Sequence, residues 1–168
     1  MTALDAAPST SRIQEPSAYK LARLAPTYDG LSFLRAIKDG ELPPAPIAEV
    51  LGFEVREVER GRVTFAMTPQ EKHYNPIGMV HGGVTATLLD TVMGCALHST
   101  LPEGTGYSTV DISVRYLRPV TVQSGLVIAT GTLVHKGRRT ATAEATLIEA
   151  STGRLLATAT SSLLVLQP

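Results

Sequence analysis

The sequence predicts an α+β domain in which a curved antiparallel β-sheet wraps around one long central helix. Three observations carry that expectation. From Val84 to Leu97 the chain is almost wholly apolar, with Asp90 its only charge, and a helix apolar all round is a buried one. From Gly106 onward period-two alternation dominates, the pattern of half-buried strands. A hairpin pattern precedes the helix, so the sheet has one face to cover, and the apolar helix is the only element long enough to cover it.

Taken in order, Met1 to Ser17 is Ser-, Thr-, Pro- and Ala-rich without periodicity and reads as a disordered tail. Leu31, Leu34 and Ile37 recur at helical spacing between Gly30 and Gly40, which predicts a short amphipathic helix. Leu42 to Pro46 (LPPAP) reads as a rigid connector, and Ile47 to Leu51 as one more helical turn. Residues 1–41 thus form a tail with one short helix, and residues 42–168 the domain. Phe53, Val55 and Val58, then Val63, Phe65 and Met67, flank the turn Glu59-Arg60-Gly61 and predict a β-hairpin. After the helix, Val110, Ile112, Val114 and Tyr116 alternate with Asp111, Ser113 and Arg115. Pro119 and Ser124-Gly125 mark a break, and Leu126 to His135, Thr140 to Glu149 and Leu155 to Leu166 read as three further strands. Their turns are Lys136-Gly137-Arg138 and Ser151-Thr152-Gly153, and the expected arrangement is a meander of four long strands.

Composition narrows the function. Lysine plus arginine equal aspartate plus glutamate at 15 each, and no long basic run appears. Nothing therefore favours nucleic acid or a membrane surface as a partner. The single Cys95 precludes an internal disulfide. The first residues lack a basic-then-apolar signal pattern, and no apolar run reaches the roughly 18 residues of a membrane span. The expectation is a cytoplasmic protein.

The chemistry lies at the start of the helix. The pattern N-x-x-G-x-x-H-G-G is spelled Asn75, Gly78, His81, Gly82 and Gly83, with Asp90 nine residues after the histidine. This combination resembles the hotdog-fold acyl-CoA thioesterases, above all the phenylacetic-acid-degradation and 4-hydroxybenzoyl-CoA thioesterase subfamily. The likeness covers about Leu51 to Leu166. It implies a hotdog fold, hydrolysis of an aryl-, aryl-acetyl- or medium-chain acyl-CoA without a cofactor, and no metal. In it, the amide at Gly82 polarises the thioester, Asn75 places water or substrate, and Asp90 is general base or nucleophile. Thr109 falls where relatives carry a Ser or Thr that orients the water, with Ser108 its rival. The family also implies a homodimer with shared active sites, often paired into a tetramer.

Elementary chemistry supports these roles. Thioester hydrolysis develops negative charge on the carbonyl oxygen, which free N–H groups at a helix N-terminus stabilise. Gly82 and Gly83 lack side chains, so a ligand approaches their backbone closely. Coenzyme A carries phosphates, and Lys136, Arg138 and Arg139 in one turn are the first candidates to hold them, followed by Arg115 and Arg118. Structural readings stand beside these. Asp90 is alternatively a carboxylate held by backbone amides, Asn75 a turn residue, His81 a loop-fixing hydrogen-bonder, and Cys95 core filler. His73, His98 and His135 have no metal-ligand spacing. The rival functions are a hotdog dehydratase or hydratase, using His73 or His81 with Asp90, and a non-enzymatic acyl-CoA-binding domain.

Overall fold

The computed structural model describes residues 17–167. The expected disordered tail lies, as far as residue 16, outside the described residues, while Ser17 opens a helix the sequence did not announce. That helix, α1 (Ser17–Leu24), is followed by α2 (Gly30–Lys38) and α3 (Pro46–Leu51). Asp29 caps α2 by accepting from the amides of Leu31 and Ser32, as a short acidic side chain does at an N-terminus. Pro46 starts α3 and Gly52, at φ +66°, ends it, the asymmetry expected of helix boundaries. Leu21, Phe33, Ala36 and Leu42 form a small apolar cluster. Leu34 belongs to the main core.

The sheet contains β1 (Phe53–Glu59), β2 (Arg62–Met67), β3 (Gly106–Tyr116), β4 (Val127–Lys136), β5 (Thr140–Glu149) and β6 (Leu155–Leu166), and α4 (Gly82–His98) is the central helix. All pairings are antiparallel, in the order β1-β2-β4-β5-β6-β3. The predicted hairpin and the three-stranded β4-β5-β6 meander are present. The meander of four is corrected: β3 pairs with β6, at the far edge, instead of with β4. The reason is visible in the connections. Short turns join β4 to β5 and β5 to β6. Between β3 and β4 lies Leu117 to Leu126, with Pro119 and a 3-10 turn at Val122–Ser124. That length carries the chain past two strands, and the backbone of Val120 accepts from Val80 on the way.

The helix packs along the concave face, and the backbone comes closest at Gly131 of β4. A Cβ there would lie 2.2 Å from the carbonyl oxygen of Val92. From Val92 to Leu97 α4 is buried on every side. Its first half departs from the expectation of a helix with no solvent face: Gly83 is exposed, and Val84, Ala86, Thr87, Asp90 and Thr91 are only partly covered. The sheet's two edges, β1 and β3, do not pair with each other, and the first half of α4 stays partly uncovered.

Strand β3 also departs from simple alternation. Its register shifts between Thr109 and Asp111, so Val110 is an inserted bulge residue. A bulge exchanges the two faces of a strand. Thr109, Ile112, Val114 and Tyr116 lie opposite Leu163, Ser161, Ala159 and Ala157, all buried on the concave side. Val110, read from the pattern as a core residue, is instead 64% exposed.

Candidate active site

The loop ahead of α4 is built by its own polar groups. Asn75 Oδ1 accepts from the amides of Ile77 and Met79, at 3.1 and 3.3 Å. Gly78 adopts φ +85°, a conformation glycine reaches without strain. A bridge between Tyr74 and Val80 closes the loop, and the His81 amide donates to the His73 carbonyl at 2.7 Å. Asn75 therefore shapes the loop with its oxygen, and among the described residues its side-chain NH2 has no protein partner.

His81 is the N-cap of α4. Its Nδ1 accepts from the Gly83 amide at 2.9 Å. The amides of Val84 and Thr85 donate to the His81 carbonyl. Of the first four amides of the helix, only that of Gly82 is left without a protein acceptor among the described residues, and it carries the positive end of the helix dipole. Tyr116 holds this end in place, its hydroxyl donating to the Gly82 carbonyl at 2.9 Å. The sequence reading missed Tyr116. Its only signal is that it shares the concave face of β3 with Thr109, which becomes readable once the bulge is located.

Asp90 lies two turns further along α4. Thr109 Oγ1 donates to its Oδ1 at 2.9 Å, and no lysine, arginine or histidine lies within salt-bridge distance among the described residues. The bulge at Val110 brings Thr109 to this carboxylate. Ser108 points to the other side, with only a 3.5 Å contact to the Thr109 carbonyl. Asp90 opens into a cavity of about 850 Å³, bordered by Thr91, Cys95 and His98 of α4 and by Ser108 and Thr109. Burial, and to a lesser degree the Asp90 charge, push the Cys95 thiol up to about 12. Burial holds His98 below the ordinary histidine range, with Asp29 opposing it.

The remaining candidates sit elsewhere. Lys136 donates to the Thr100 carbonyl at 3.3 Å. Arg138 and Arg139 border a second cleft with residues Leu164 to Gln167. Arg118 donates to the Leu155 carbonyl, and Arg115 is exposed on β3. None of these cations borders the Asp90 cavity. His73 is buried, accepting at Nδ1 from the Gln70 amide, and burial followed by the Lys72 charge lowers its pKa. Neither His73 nor His81 is bonded to Asp90. Among the described residues no group of three His, Cys, Asp or Glu side chains comes together to hold a metal, and no helix is long and apolar enough to cross a membrane.

Known proteins resemble this chain in sequence and fold. The family model described as "Thioesterase superfamily" matches residues 77–156. Acyl-coenzyme A thioesterase 13 of Homo sapiens is 36% identical over 97 residues, spanning 58% of this chain and 68% of that protein. A phenylacetic acid degradation-related protein from Ralstonia eutropha JMP134 superposes with a TM-score of 0.70 at 28% identity, over 78% of this chain and 98% of that one. A Streptococcus mutans UA159 protein bound to acetyl CoA superposes with a TM-score of 0.62 at 28% identity, over 69% and 91% of the two chains. The unpaired amide at a glycine helix start and the threonine-bound aspartate thus sit on a shared framework, and the chain belongs to the thioesterase superfamily as a thioester hydrolase of the hotdog fold.

Proposed function

We propose that the protein is an acyl-CoA thioesterase, converting an acyl-CoA and water to a carboxylic acid and free coenzyme A. The observation that carries this reading is Asp90, a carboxylate without a cation beside it, oriented by Thr109 and opening into a cavity. Thr109 occupies one carboxylate oxygen. The other is free to take the proton of an attacking water. The Gly82 amide stabilises the oxyanion, and the side-chain NH2 of Asn75 donates to water or to the carbonyl.

These groups act as a pair only across two chains. Gly82 and Asp90 are eight residues apart, about 12 Å along the helix axis, whereas reacting atoms must approach to about 3–3.5 Å. A two-fold partner with an antiparallel α4 would bring its own Asp90 toward the first chain's Gly82. Edge strand β3 supports such pairing: an unpaired, partly apolar edge is a template for another strand, and Val110 and Tyr116 stand exposed on it. We read the protein as a cytoplasmic homodimer, with pairing into a tetramer as a further step. Arg138 and Arg139, with Lys136 in the same turn, are the groups proposed for the coenzyme A phosphates, and Arg115, about six residues away along β6 by register, is the next candidate.

The test is release of free thiol across a panel of acyl-CoAs. Thiol released with acid formed establishes hydrolysis. A hydrated or dehydrated acyl chain still joined to coenzyme A would assign the dehydratase chemistry instead, and tight binding without turnover would assign a binding domain.

A further inference from the structure

We infer that helix α2, the Pro44–Ala45 connector and α3 form the wall against which the acyl group packs, so that the segment ahead of the hairpin selects an acyl chain of medium length or longer over acetyl. The inference rests on the thioesterase reading and goes beyond it, to the substrate class. The cavity at Asp90 follows α4 to His98, eight residues or about 12 Å of helix axis, roughly the reach of a ten-carbon chain. The facing wall comes from Leu34 and Ile37 of α2, Ala45, Ile47 of α3, Val55 of β1 and Phe65 of β2. Every one of these is apolar. The charged groups on that side, Lys38, Glu49 and Glu54, are exposed and stand at the mouth.

The wall is fixed in place. The Gly30 amide donates to the Leu101 carbonyl at 3.0 Å, and the Gly104 amide to that of Pro26 at 3.1 Å. A Cβ on Gly30 would lie 1.8 Å from the His98 carbonyl oxygen, so α2 starts in direct backbone contact with the end of α4. The Phe33 ring packs on His98 with centroids 5.6 Å apart. A volume of about 850 Å³ is of the size that encloses a drug-sized apolar ligand, and an acetyl group would leave most of it empty. Each methylene transferred from water into such a site strengthens binding about fourfold. The family-matched stretch begins only at residue 77. Gly82, Asp90 and Thr109 therefore lie within that stretch, and the wall residues all precede it.

Two variants test this, Ile37→Trp, which fills the cavity, and Ala45→Trp, at an exposed position where misfolding is not expected. kcat/KM is measured for acetyl-CoA through dodecanoyl-CoA. The wild type should gain with each added methylene up to about ten carbons, and both variants should lower the dodecanoyl-to-acetyl ratio at least tenfold. An unchanged ratio in both, or a wild type indifferent to chain length, overturns the inference while hydrolysis itself still stands. A readout without turnover separates the two readings. The chain has no tryptophan, so the indole of Ile37→Trp reports alone, and a dodecanoate brominated at its last carbon should quench it more than dodecanoate does. Quenching without hydrolysis of any acyl-CoA would remove the thioesterase reading and leave the wall. Hydrolysis with neither quenching nor a changed ratio would do the reverse.

Discussion

Asp90 and Thr109 form a hydrogen-bonded pair in which each residue has a separable effect. Asp90→Asn keeps the shape of the side chain and removes the base. Turnover should fall about 10²- to 10⁴-fold, with the affinity for substrate little changed. A folded Asp90→Asn protein of wild-type rate would remove Asp90 from the chemistry. Thr109→Val deletes one hydrogen bond, worth about 1 kcal/mol, and should lower kcat by about tenfold or less. Thr109→Ser should recover most of it, because it restores the donor. Ser108→Ala should matter less than Thr109→Val, since Ser108 lies on the other side of the strand. Comparing the three rates settles which hydroxyl serves the carboxylate. In the base mechanism, hydroxylamine added during turnover traps no acyl group on Asp90, whereas a hydroxamate at that position would assign the nucleophilic route.

At the scale of elements, two glycines set how closely α4 and the sheet approach, and they differ in what opposes a methyl group. At Gly131 the obstacle is the helix backbone at Val92, and at Gly94 it is the Tyr107 ring, 2.6 Å from an added Cβ. A ring can swing aside and a helical carbonyl cannot. Gly131→Ala should cost about 3 kcal/mol and Gly94→Ala about 1 kcal/mol, within the range of overpacked cores. Urea denaturation of both variants measures the order, and a larger loss at Gly94 would contradict it. Much of this architecture was legible in the sequence. The hairpin, the apolar helix and the last three strands stand where periodicity put them, because each records a one-sided burial. The place of β3 did not show, because alternation reports which side chains are buried and says nothing of the neighbouring strand. Nor did the choice between Ser108 and Thr109, since one inserted residue at Val110 reverses the faces of the strand without disturbing its composition. The cavity wall from α2 and α3 was likewise hidden: Leu34 and Ile37 mark an amphipathic helix, but their spacing does not say what the apolar face meets.

For the whole molecule, the shared-site reading makes a quantitative prediction. Asp90→Ala and Gly82→Val chains, each folded and inactive alone, are mixed under conditions that exchange subunits. In a heterodimer one composite site carries both defects and the other neither, so random assortment should restore about a quarter of wild-type activity. Heterodimers without activity would show that each chain works by itself. Stability should also depend on pH with a defined sign. His73 and His98 both titrate below the ordinary 6.5 in the fold, chiefly because burial disfavours their charged forms. Below about pH 6.5 the unfolded chain therefore binds more protons than the native one, and stability falls as the solution is acidified through that window. The melting temperature should be nearly level from about pH 8 to pH 7 and decline toward pH 5, and a rise over that range would contradict the assignment.

The buried Cys95 thiol, raised to about 12 and bordering the cavity, has a consequence for the product. Each turnover of an acyl-CoA would leave a free thiol beside the only sulfhydryl in the chain. Disulfide exchange requires a thiolate and access to it, and burial withholds the thiolate at Cys95 and leaves it only the cavity side for access. The enzyme should therefore resist capture by its own product under oxidising conditions. For the same reason an aromatic disulfide reagent should find no reactive group on the folded protein and one per chain after denaturation, so the colour it develops during turnover counts coenzyme A alone.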